Sequence, residues 1–173
     1  MKTRNNAALP PGMPIMRLRV FAAIVFLLLG ACSRPQAETS PDGLPMETIT
    51  IDADKGPVTF QVEVASDFAS REKGLMFRKT MQPDHGMLFD FKVTQGVAFW
   101  MKNTILPLDM IFILPDGVVS SVAADTKPFS TDEIPSAEPV RAVLEINAGR
   151  AAALGIVPGD VVHAAAFGND PDR

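Results

Sequence analysis

The alternation in VTFQVEVA, from Val58 to Ala65, constrains the fold more than any other feature of this chain. Val58, Phe60, Val62 and Val64 recur every second residue, and Thr59, Gln61 and Glu63 fall between them. A period of two is that of a β-strand with one buried face. ETITID (47–52) repeats the pattern with Ile49 and Ile51 on one side, and Asp54-Lys55-Gly56-Pro57 between the two runs is turn chemistry. The pair reads as a hairpin. GMLFDF (86–91), VAFWM (97–101), DMIFIL (109–114), VVSSVAA (118–124), VRAVLEI (140–146) and DVVHAAAF (160–167) are further strand-like runs, and Pro115-Asp116-Gly117 marks a second tight turn. Two short helices interrupt them. Ser66 is placed to cap DFASREKGLM, with Gly74 at its end. Asn147 is placed to cap AGRAAALG, with Gly155 at its end. The expected fold class is mainly β: a compact β-sandwich or partly closed barrel of about eight short strands with two short helices.

The N-terminus reads as an address. MRLRVFAAIVFLLLGAC (16–32) has a basic start, a short apolar run and small residues before Cys32. The apolar run falls well short of the roughly 20 residues that span a bilayer, and the pattern is that of a secretory signal peptide over residues 1–31. Pro10, Pro11 and Pro14 precede the basic pair, which leaves Met13 and Met16 as alternative starts. Leu29-Gly30-Ala31-Cys32 resembles the lipobox of bacterial lipoproteins. That resemblance implies lipidation of Cys32 as the first mature residue, and Ser33 after it resembles an outer-membrane sorting signal. The expected location is the periplasmic side of the envelope, lipid-anchored at the outer membrane. Residues 32–45 read as the anchor and a flexible tether, 46–168 as a single β-rich domain, and 169–173 as a polar tail.

Charge narrows the partners. The first 32 residues hold Lys2, Arg4, Arg17 and Arg19 and no acid, so beyond them 12 bases face 20 acids, a formal charge of −8. Nucleic acid is an unfavourable partner for such a surface, and so is direct adhesion to anionic lipid, which leaves membrane contact to the anchor. A single cysteine excludes an intramolecular disulfide, and His85 and His163 form no metal-binding pattern. No phosphate-cradling glycine loop is present, so neither a metal nor a nucleotide cofactor is implied.

GLMFRKTM (74–81), GMLFDF (86–91), FWMKNTILPLDMIFI (99–113) and VLEINAGRAAALGIVPGD (143–160) together resemble the domain-of-unknown-function 192 family of bacteria and archaea. The resemblance covers about residues 47–167 and implies a compact, mostly β domain that is often exported. It implies no activity.

Polar residues inside these blocks are the candidates for chemistry. In DMIFIL both faces are apolar, so Asp109 at its entrance needs a partner; Lys102, Arg78 and backbone N–H groups are candidates. Asp109 is thus either a hydrogen-bonded loop staple or a carboxylate presented beside Trp100, Lys102 and Asn103 at a sheet rim, an arrangement suited to a small polar ligand. Glu145 is either a structural ion pair or cap, or the second carboxylate of a glycosidase-like pair with Asp109. Arg78 can clamp an anion or pair with Asp84 or Asp90. His85 reads as a solvated loop histidine, and Ser120-Ser121 lacks a nucleophile elbow. Met76, Met81, Met87, Met101 and Met110 suit core filling better than a copper site. The leading functional reading is a lipid-anchored binding or accessory module for a small polar ligand or envelope component. An envelope hydrolase using Asp109 and Glu145, and a structural protein-interaction module, are the alternatives.

Overall fold

The computed structural model describes residues 40–170. The expected signal peptide and Cys32 lie outside the described residues.

Nine strands and two short helices follow in the order β1 (Met46–Ala53), β2 (Gly56–Ala65), α1 (Phe68–Lys73), β3 (His85–Gln95), β4 (Ala98–Phe99), β5 (Leu108–Ile113), β6 (Val119–Thr126), β7 (Ile134–Pro135), β8 (Val140–Asn147), α2 (Arg150–Leu154) and β9 (Val161–His163). Seven of the strands form one sheet in the order β6-β5-β8-β3-β2-β1-β9, and β4 pairs with β7 apart from it. All neighbours are antiparallel except β2 and β3, which α1 and the following loop connect in parallel. The sheet curls until its two edge strands meet. Val118 bridges Val161, Val119 N–H donates to the Asp160 carbonyl at 2.8 Å, and Val162 N–H donates to the Gly117 carbonyl at 2.8 Å. Of the two mainly-β architectures expected, the partly closed barrel is the one formed. Gly117 permits this seam: its φ is 88°, and a Cβ there would lie 2.6 Å from the Val162 carbonyl oxygen.

The predicted hairpin of β1 and β2 forms with Ile49 opposite Phe60 and Ile51 opposite Val58. These residues join Leu88, Ile111, Ile113, Leu144, Ile146 and Val162 inside the curl, where Ala151 and Ile156 also pack. The outer face of β3, β8 and β5 is covered as well. Met87, Phe89, Met110, Phe112 and Val143 pack there beneath Leu75, Met101 and Phe99 from the connecting loops. Every residue of β5 is therefore buried, which is why DMIFIL is apolar on both sides.

Local details differ from the sequence expectations. Asp67, not Ser66, caps α1: its carboxylate accepts from Ser70 N–H at 3.0 Å while Asp67 N–H donates back to Ser70 Oγ at 3.3 Å. Gly74 ends the helix as expected. Asn147 does not cap α2; its amide donates to the Met81 and Gln82 carbonyls at 3.2 and 2.9 Å. VAFWM narrows to the two residues of β4, and DVVHAAAF splits into β9 and a 3-10 turn at Ala165–Phe167. Glu63, expected outside, is buried because the outer face of β2 is covered near Arg78. Within the expected tether, Ser40–Leu44 form a turn closed by a 2.8 Å Ser40 N–H to Leu44 carbonyl bond, and Asp42 pairs with Lys73 at 2.9 Å and Arg78 at 2.7 Å. Asn169, expected in the polar tail, donates from its amide to the Val162 carbonyl at 3.0 Å.

Candidate functional site

The register of three strands sets one row of side chains on the outer face. Glu63 lies beside Met87, Met87 opposite Glu145, and Glu145 opposite Met110. Glu145 is 5 % exposed, and among the described residues no side-chain hydrogen bond or ion pair reaches it. It opens into a cavity of about 380 Å³. Phe89, Phe91, Phe99 and Trp100 supply aromatic walls, and α1 forms one side. Phe99 packs edge-to-face on Phe89 at 5.0 Å and on Phe91 at 6.3 Å between ring centroids. Burial in this apolar setting pushes the Glu145 carboxyl up from its usual value to about 8, so it is largely protonated at neutral pH. No neighbouring charge contributes to that shift.

The basic groups at the mouth are already engaged. Arg71 stacks over Phe91 at 5.5 Å and donates to the carbonyls of Ser66 at 2.6 Å and Asp90 at 3.2 Å. Lys73 is the partner of Asp42. Lys102 Nζ sits 5.1 Å over Trp100, which is 47 % exposed at the rim.

Three of the sequence candidates thus gather at one place: Trp100 and Lys102 at the rim and Glu145 at the floor. Asn103 takes a different part. Its backbone is left-handed (φ 57°), its carbonyl accepts from Phe77 N–H at 2.9 Å, and its amide approaches the Met76 sulfur at 3.8 Å. Phe77 and Phe129 are also left-handed (φ 64° and 63°), and Phe129 N–H donates to the Thr104 carbonyl at 3.2 Å. These two hydrogen bonds tie down the loop that follows Trp100, and they hold non-glycine residues in an uncommon backbone state.

Arg78 is not free to clamp a ligand. Its guanidinium is held bidentately by Glu63, with Nη2 at 2.6 Å from Oε2, and also contacts Asp42. The hydrogen bond it donates to Glu63 raises its pKa further above the usual arginine value. Neither Asp84 nor Asp90 is its partner: Asp84 meets His85 at 2.9 Å, and Asp90 pairs with Lys92 at 2.6 Å and with Arg141.

Asp109 lies on the inner face, opposite Ile146 and 0 % exposed. Its two oxygens accept from Asp125 N–H and Ala151 N–H, each at 2.9 Å. Backbone groups, not Lys102 or Arg78, are its partners. The pairing of Asp109 with Glu145 across a scissile bond is overturned, because adjacent positions on paired strands point to opposite sides of the sheet. The residues missed by sequence reading are Arg71, Phe89, Phe91 and Phe99; the F-x-F spacing of Phe89 and Phe91 put both rings on one face. Among the described residues no three His, Cys, Asp or Glu side chains gather as a metal site, and no helix is long and apolar enough to cross a membrane.

Fold and cavity define a small domain in which a curled, nearly closed β-sheet carries a ligand-sized aromatic cavity on its outer face. The chain belongs to the domain-of-unknown-function 192 family (DUF192, uncharacterized ACR), whose model matches residues 49–164. It is similar to a solved protein of unknown function from Novosphingobium aromaticivorans (40 % identity, TM-score 0.73, covering 75 % of this chain and 93 % of that one). It is also similar to a Sinorhizobium meliloti protein described as a "putative transcription regulator" (46 % identity, TM-score 0.69, covering 71 % and 96 %). No curated protein matches the chain.

Proposed function

We propose that this domain is a binding module whose site is the cavity between Glu145 and Trp100. One observation carries the reading: a buried carboxyl without a protein partner among the described residues faces an open, aromatic-walled space. The carboxyl is directed at the cavity and not at a protein group, so a molecule in that space can supply its hydrogen bond. Aromatic walls with one placed polar group are the usual composition of a small-molecule site. The apolar lining changes the expected ligand from a broadly polar molecule to one with an apolar body.

The same reading places the module in the cell envelope, tethered by lipid at Cys32. Its support is the basic–apolar–LGAC sequence of residues 16–32. A DNA-contacting role, which the Sinorhizobium description would suggest, is opposed by the excess of acids over bases beyond residue 32.

Trp100 is the chain's only tryptophan, so the single indole N–H resonance belongs to the rim of this cavity. A fragment screen of the purified protein, read on that resonance, should give hits that are lost when Ala98→Phe fills the cavity mouth. Hits unaffected by Ala98→Phe, or no hits at all, would remove the site. For the anchor, Cys32→Ser should release the protein from the membrane fraction; unchanged membrane association would refute lipidation.

A further inference from the structure

We infer that the cavity takes a neutral, ring-sized molecule bearing one carbonyl-type hydrogen-bond acceptor, which Glu145 receives as the donor. This inference rests on the proposed binding site and adds the chemical class of its ligand.

The volume comes first. A dry cavity of roughly 150 Å³ accommodates benzene, so about 380 Å³ holds a ring with a substituent and leaves little room for a polymer segment. The walls come next. Phe89, Phe91, Phe99 and Trp100 present ring edges and faces, which favour a flat apolar body.

The polar contact is decided by what surrounds Glu145. Met87 and Met110 flank it in the strand row. The other charged groups lining the cavity are Arg71, Glu72 and Lys73, all from α1. Arg71 is held by two carbonyls and Lys73 by Asp42, so neither neutralises Glu145. A cationic ligand would have to pass two lining cations, with Lys102 over the neighbouring Trp100, and only Glu72 to offset them. It would also have to desolvate itself and a carboxylate together, which seldom yields net affinity. A carboxylic acid kept neutral by its apolar setting has one strong donor to offer, and a carbonyl oxygen accepts it without any charge being buried.

The test uses four probes that share one ring: acetophenone, toluene, benzoate and benzyltrimethylammonium. Each is titrated into the full protein and followed on the Trp100 indole N–H. At pH 7 acetophenone should bind about tenfold tighter than toluene, the worth of one buried hydrogen bond. Because only the protonated carboxyl donates, acetophenone affinity should fall about tenfold from pH 7 to about pH 9, while toluene affinity stays flat. Glu145→Gln keeps an N–H donor at every pH, so it should retain acetophenone binding and lose the pH dependence. Glu145→Leu should bring acetophenone down to toluene. Strongest binding by benzyltrimethylammonium, rising with pH, would overturn the inference in favour of a carboxylate ion pair. Strongest binding by benzoate would overturn it in favour of the rim cations. Equal, pH-independent binding of acetophenone and toluene would leave the cavity as a site and remove Glu145 from recognition. Failure of all four to move the Trp100 signal would defeat the binding-site reading itself.

Discussion

The β5–β8 ladder buries two carboxyl groups one step apart, and it treats them differently. Asp109, opposite Ile146, faces the inside of the curl and accepts two backbone N–H bonds at 2.9 Å. Glu145, opposite Met110, faces the outer layer and has no protein partner among the described residues. The first carboxyl is consumed by the fold: it ties β6 to β5 and supplies the N-terminal cap that Gly149, lacking a side chain, cannot give α2. The second is left over. Burial therefore does not separate structural from functional acids here; satisfaction of their hydrogen bonds does.

That contrast is broken most severely at Asp109. Asp109→Ala strands the Ala151 and Asp125 N–H groups, and it should cost about 4 kcal/mol of stability, measured by urea denaturation. A loss under about 1 kcal/mol would mean the two N–H groups find other partners and the acid is dispensable.

Glu145 should show itself as a pH dependence of smaller total size. Its folded pKa is raised to about 8 from the usual carboxyl value of 4.5, so the folded state holds a proton that the unfolded chain gives up above about 4.5. The unfolded state then binds fewer protons, and stability falls as pH rises through that window, flattening above about 8. Relative to Glu145→Gln, the wild type should lose about 3 kcal/mol between pH 5 and pH 8. Parallel stability–pH curves for the two proteins would show that Glu145 is solvated or paired after all.

Replacing the leftover acid should help the fold. Glu145→Met extends the flanking Met87 and Met110 into an apolar row and should stabilise the protein by about 2 kcal/mol at pH 7, with little gain at pH 5. Thermal unfolding at the two pH values distinguishes this from a generic packing gain, which would be the same at both.

Much of the fold was legible because its signals are local. The period-two runs of β1 and β2, the continuous apolar run of β5, the Pro115-Asp116-Gly117 turn and the helix stops at Gly74 and Gly155 each need only a few adjacent residues. The site was only partly legible because its meaning depends on partners far along the chain. Asp109 meets Ala151 from 42 residues away, and Arg78 meets Glu63 from 15 away across a parallel crossover. Alternation separated exposed Trp100 and Lys102 from buried Met101, although these residues lie beyond β4 and Phe99 lines the same cavity as Trp100; it carried no register between β5 and β8. Without register, Asp109 and Glu145 looked like a pair, although a one-residue offset puts them on opposite faces. Alternation also placed Glu63 in solvent, because nothing in β2 itself signals that Arg78 and the 40–45 turn cover that face.

The smallest expected effect lies at the rim and sharpens the same contrast between engaged and unengaged groups. Lys102 is exposed, and its ammonium over Trp100 is worth about 0.5 kcal/mol in such a setting. Lys102→Ala should therefore leave the urea midpoint nearly unchanged while altering Trp100 fluorescence, since the charge sits 5.1 Å from the ring. It should also leave the stability–pH curve untouched, because desolvation alone, without a neighbouring charge, raises Glu145. A shift of that curve on removing Lys102 would place a cation within electrical reach of the cavity floor. Glu145 would then be an acid engaged at a distance, and its difference from Asp109 would be one of degree.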